Sequence, residues 1–101
     1  MALFYQSTRG KETNVTASQA VLKGLADDGG LFMPNEIPAL SIPMKILAEM
    51  SYQETAYEVM KLFLTDYTEA ELKDCIARAY DDKFDVEEIA PLVKADGMYF
   101  L

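Results

Sequence analysis

The stretch "GLADDGGLFMP", Gly24 to Pro34, decides how the N-terminal half of the chain folds. Gly29 and Gly30 permit positive φ, so the chain can reverse direction there within a few residues. The apolar "LFMP" that follows reads as a brief extended segment. Ahead of the reversal, "ASQAVLKGL" reads as a helix. Thr16 or Ser18 can cap it by offering a hydroxyl to the free N–H groups of the first turn. Ala20, Val21 and Leu25 are expected to form its buried stripe, with Gly24 near its end. Further upstream "LFYQST", Leu3 to Thr8, is a short strand ended by Gly10 and the polar turn "KETN".

Downstream, Pro34, Pro38 and Pro43 interrupt "PNEIPALSIP" too often for a helix or a central strand, and Pro43 suits the first turn of "PMKILAEM". Two stronger helices follow. Ser51 with Glu54 makes a capping box ahead of "YQETAYEVMKLFL", whose Tyr52, Ala56, Val59, Met60 and Phe63 recur at helical spacing and are expected to be buried. Thr68 with Glu71 repeats the device ahead of "EAELKDCIARAY". There Leu72, Cys75, Ile76, Ala79 and Tyr80 share one side, with Glu69, Lys73 and Asp74 outside. "PLVKADGMYFL" carries apolar runs around Asp96-Gly97, a dipeptide favoured in tight hairpin turns. The expected fold is α+β: a small, mostly helical domain of about four helices with a few short strands, including an N-terminal strand and a C-terminal hairpin.

The 101 residues match one domain of the usual ~100–200 residues, so residues 1–101 are read as a single domain with one modest core. Seventeen acidic residues against 9 basic ones and no histidine leave a net charge of -8, which disfavours nucleic acid and anionic membrane surfaces as partners. The hydrophobic fraction of 50% is that of a folded domain, not of a disordered acidic tail. One cysteine and no histidine exclude an internal disulfide and the common zinc sites, and fit a reducing cytoplasm. The opening "MALFYQSTRG" has no basic signal-like segment and reads as a mature N-terminus. No apolar run approaches the ~18 residues of a membrane span.

Most candidate chemistry resolves into structure. Cys75 lies on an apolar stripe with no histidine to activate it and is expected to be a core residue. Asp27-Asp28 and Asp81-Asp82 lack the ligand spacing of a calcium loop and read as solvated turns or helix ends. "STRG" is the exception. Ser7 and Thr8 supply hydroxyls, Arg9 a planar fork suited to carboxylate or phosphate, and Gly10 a closely approachable N–H. The residues alone favour a strand end whose arginine pairs with Asp27 or Asp28, because the loop and helix of a phosphate cradle are missing. No catalytic, cofactor-binding or metal-ligating residue is assigned.

Together, "YQSTRG", "SQAVLKGLADDGGLFMP" and the closing "PLV...YFL" resemble, in order and separation, the N-terminal domain of the threonine synthase family. The resemblance covers essentially the whole chain. It implies a portion of a pyridoxal-phosphate-dependent enzyme of cytoplasmic threonine biosynthesis, a carbon-oxygen lyase that converts O-phospho-L-homoserine and water to L-threonine and phosphate. The family's Schiff-base lysine sits in an "HGPT...FKD" motif shortly beyond this chain, with the cofactor phosphate loop further on, and neither occurs here. Lys11, Lys23, Lys45, Lys61, Lys73, Lys83 and Lys94 all fall in loops or on polar faces, so none is suited to hold the cofactor. The chain is expected to bind no pyridoxal phosphate, to be inactive alone, and to brace or cover the active site against the cofactor-binding domains of the same polypeptide.

The resemblance also makes Ser7, Thr8 and Arg9 candidates for facing the active site or the domain interface. Met98, Tyr99, Phe100 and Leu101 are apolar on both faces of a strand, so self-association of the isolated chain is expected. The competing expectation is a free-standing acidic domain that binds a protein and catalyses nothing.

Overall fold

Tyr5–Ser7 (β1) and Phe32–Pro34 (β2) form an antiparallel pair with Tyr5 opposite Pro34, Gln6 opposite Met33 and Ser7 opposite Phe32. They belong to a computed structural model that describes residues 2–81 and 88–101; Asp82 and Lys83 lie outside those residues. β1 is shorter than Leu3–Thr8 because Leu3 turns inward: it is buried, and its N–H donates to Thr65 Oγ1 at 2.9 Å. The Tyr5 hydroxyl donates to the Phe63 carbonyl at 2.6 Å, which fastens the strand pair to the helical half.

The helix Ala17–Lys23 (α1) is capped by Thr16. Its Oγ1 accepts the Gln19 N–H at 3.3 Å, and Gln19 Oε1 accepts the Thr16 N–H at 3.0 Å. Ser18, the other candidate cap, instead directs its N–H and hydroxyl to the Asp66 carboxylate. Gly24, at φ 77°, takes the chain out of the right-handed helix. Burial departs from expectation: Ala17 is buried, Ala20 is half-buried, and Val21 and Leu25 are exposed. The short helix is tied down at its first turn by the Ser18–Asp66 bonds and at its last by Lys23, and Val21 borders an open groove rather than a packed core.

Met44–Leu47 (α2) is a single turn, with Pro43 just outside it as N-cap and not within its first turn. Tyr52–Phe63 (α3) and Glu69–Ala79 (α4) pack on each other, each opened by its expected capping box. Leu72 and Ile76, four residues apart on one face of α4, are buried, while Glu69, Lys73 and Asp74 are outside. Cys75 is exposed, not core. At 3.6 residues per turn it lies about 80° round the helix from the midpoint of Leu72 and Ile76. Ala79 is also exposed and Tyr80 half-buried.

α3 has no fully buried residue: Ala56, Met60 and Phe63 are half-buried, and Tyr52 and Val59 exposed. The helix is covered by α4 on one side, and its other apolar flank lines open grooves. Tyr52 rests edge-to-face on Tyr80 with ring centroids 4.9 Å apart. Val93–Ala95 (β3) and Met98–Phe100 (β4) form a hairpin whose turn residues Asp96 and Gly97 both have positive φ, 50° and 75°. That is the type I′ geometry that matches strand twist. All six strand residues of the hairpin are exposed. Among the described residues the architecture is α+β, with four helices and two small antiparallel strand pairs.

Candidate functional site

The tip that follows β1 and the reversal that precedes β2 are knitted together by one side chain. Asp28 Oδ1 accepts from the Ser7 hydroxyl at 2.6 Å and from the Gly30 N–H at 2.9 Å. Its Oδ2 accepts the Lys11 N–H at 3.1 Å. The bond to Gly30, two residues on, is a local Asx turn, and the other two cross between loops. The Ser7 hydroxyl, followed by the Gly30 and Lys11 N–H groups and the nearby Arg9 charge, holds the Asp28 carboxyl below the usual carboxylate range.

Gly30 is buried at the point of closest approach. A Cβ there would sit 2.2 Å from Ser7 Oγ and 2.9 Å from Thr8 Oγ1, so only glycine lets the two loops meet. The Thr8 N–H donates to the Leu31 carbonyl at 2.8 Å and Thr8 Oγ1 accepts the Leu31 N–H at 3.1 Å, which extends the β1–β2 pairing past the strand ends. Beside this clamp lies an ionic cluster: Lys23 Nζ donates to Glu12 at 2.7 Å and to Asp27 at 2.8 Å, and the Asp27 N–H donates to Glu12 Oε1. The bonds that Lys23 donates to Asp27 first and to Glu12 second raise its pKa, so its amine stays protonated.

The three candidate residues therefore differ in availability. Ser7 is 3% exposed; its hydroxyl serves Asp28, and its oxygen also accepts the Arg9 N–H at 3.1 Å. Thr8 is exposed, with its oxygen already accepting a backbone bond. Arg9 is exposed and, among the described residues, its guanidinium makes one hydrogen bond, from Nη1 to the Asp28 backbone carbonyl at 3.3 Å. Arginine and aspartate do meet, but through the carbonyl; the carboxylate is taken by Ser7, Gly30 and Lys11. Arg9, Lys11, Glu12, Asp27 and Asp28 line a polar surface depression. Asp28 is the residue that sequence reasoning undervalued, and an aspartate two places before a glycine reversal is the signal that marks it.

Other chemistry is sparse. The six described lysines are all exposed, and Lys61 and Lys73, bonded to Glu58 and Glu69, have raised pKa values. Among the described residues no cluster of three or more His, Cys, Asp or Glu could hold a metal ion, and no helix is long and apolar enough to cross a membrane.

The family description "Threonine synthase N terminus" matches residues 4–80, which contain the whole clamp and the three capped helices α1, α3 and α4. The chain belongs to the threonine synthase N-terminal family. The threonine synthase of Schizosaccharomyces pombe is 44% identical over 91 residues, covering 87% of this chain and 18% of that protein. That of Eremothecium gossypii is 39% identical over 99 residues, 93% of this chain and 19% of that protein. That of Corynebacterium glutamicum is 36% identical over 104 residues, 96% of this chain and 22% of that protein. The chain thus spans about a fifth of the length of these curated relatives. In this threonine synthase N-terminal chain, the Asp28 clamp lies wholly within the matched residues.

Proposed function

We propose that the chain works as the N-terminal portion of a threonine synthase, a cytoplasmic pyridoxal-phosphate-dependent lyase that converts O-phospho-L-homoserine and water to L-threonine and phosphate. The family match over residues 4–80 carries this reading. The cofactor supplies an electron sink for carbanion chemistry at the substrate. The described residues of this chain do not fit it: its aldehyde needs a desolvated neutral amine, and every described lysine is exposed. No reaction step is therefore assigned to the chain's own residues, and catalysis belongs to cofactor-binding domains elsewhere in the same polypeptide.

What the chain contributes is bracing and, through Arg9, charge. Val21, Leu25, Tyr52, Val59 and the hairpin's Tyr99 and Phe100 leave apolar surface exposed, which suits burial against those domains and favours self-association of the isolated chain. Arg9 is held at the surface by the clamp with donors to spare, as a group that meets an anionic substrate must be. Arg9→Ala in the full-length enzyme is expected to lower kcat/KM for phosphohomoserine about tenfold or more with little change in thermal stability. Normal kinetics in a destabilised variant would assign Arg9 to bracing alone.

A further inference from the structure

Ser7 and Lys11 stand on the two flanks of the tip Thr8–Gly10, and one carboxylate receives a donor from each flank. The same residue's carbonyl accepts Arg9 Nη1, and the Arg9 N–H is held in turn by the Ser7 oxygen. A loop tied at both ends to one group cannot swing as a lever, and a guanidinium with one nitrogen bonded has fewer rotamers left to lose on binding. The neighbouring carboxylates cannot replace Asp28 in this role. Those of Glu12 and Asp27 are engaged with Lys23, and Glu12 also holds the Asp27 N–H.

We propose that Asp28 is a positioning residue for Arg9: its carboxylate fixes the loop, and its carbonyl aims the guanidinium, so that the remaining donors are presented to the phosphate of the substrate. This rests on the reading of Arg9 above and deepens it. Because the effect is preorganisation for binding, it belongs in KM and not in kcat.

The test is steady-state kinetics on the full-length enzyme with O-phospho-L-homoserine, with a thermal melt of each variant. Arg9→Ala, Asp28→Asn and the double variant are compared. Asp28→Asn keeps the size and one oxygen acceptor of the side chain but removes the acceptor for the Lys11 N–H. Arg9→Ala is expected to raise KM about tenfold, and Asp28→Asn about three- to tenfold with kcat within about twofold. The double variant should be no worse than Arg9→Ala, because Asp28 acts only through the guanidinium.

Full multiplication of the two effects overturns the proposal, and so does an unchanged KM in Asp28→Asn while Arg9→Ala raises it. A loss of active enzyme with KM intact marks a purely structural role and also overturns it. An unchanged KM in Arg9→Ala removes the substrate role of Arg9 itself and this proposal with it, which separates the two failures. Should Asp28→Asn not fold, Ser7→Ala decides in its place. It loosens the same link and must raise KM in the same direction, and an unchanged KM rejects the positioning role.

Discussion

Gly30→Ala is the most informative single change to the fold. The added methyl carbon would lie 2.2 Å from Ser7 Oγ, 2.9 Å from Thr8 Oγ1 and 3.1 Å from the Arg9 nitrogen, all inside normal contact distance. Ser7 cannot simply rotate aside, because its hydroxyl is buried and committed to Asp28. Overpacking of this kind costs roughly 1–3 kcal/mol, and displacing a buried hydroxyl from its partner costs a further ~1–3 kcal/mol, so a loss of about 2–6 kcal/mol is expected. Gly10→Ala is the contrasting control. Unlike Gly30 it sits at positive φ, 82°, and nothing lies within 4 Å of its Cβ, so it isolates backbone strain from contact. Backbone strain alone should cost about 1 kcal/mol there. Urea unfolding followed by circular dichroism gives both values. The double variant Ser7→Ala/Gly30→Ala should recover part of the loss, since the nearest obstructing atom is gone. Equal costs at Gly30 and Gly10, or no recovery in the double variant, would refute close packing between the two loops.

Acid should weaken the fold through the ordinary carboxylate range. Asp28, Glu54 and Glu71 have folded pKa values below their unfolded ones, so their stabilisation is complete above about pH 5 and is lost as pH falls through the folded values. The urea midpoint should drop with pH, with a shallower slope in Asp28→Asn. Ser51→Ala and Thr68→Ala should each cost about 1 kcal/mol by urea unfolding, since each removes the hydroxyl of a complete capping box. Cys75, exposed on the rim of α4, should react with a thiol reagent in the native state, and Cys75→Ser should shift stability by less than about 0.5 kcal/mol. Leu72→Ala on the same helix should cost at least about 2 kcal/mol.

The features legible in the sequence are those written within a few residues. Ser51 with Glu54 and Thr68 with Glu71 announce helix starts because a cap and its partner are only three positions apart, while at α1 the sequence leaves Thr16 and Ser18 both open and the structure selects Thr16 with Gln19. Asp96-Gly97 announces the hairpin because both residues tolerate positive φ. Burial was less readable, since apolar spacing tells which side chains share a face but not what lies across from it. Val21, Leu25, Tyr52 and Val59 lie on apolar faces, yet the described residues leave them exposed. Cys75 shows the finer limit, because a stripe of five positions was wider than the contact that α3 makes with α4. The site was half legible. "STRG" stood out, but the role of Asp28 depends on a chain reversal that brings residues 7, 11, 28 and 30 together, and pattern alone does not carry that distance.

Phosphate release from O-phospho-L-homoserine by the full-length protein tests the central claim most directly. The expected result is phosphate and L-threonine formed in equal amounts, with the rate dependent on added pyridoxal phosphate and reduced in Arg9→Ala. A folded, cofactor-loaded protein that releases neither product would contradict the assignment.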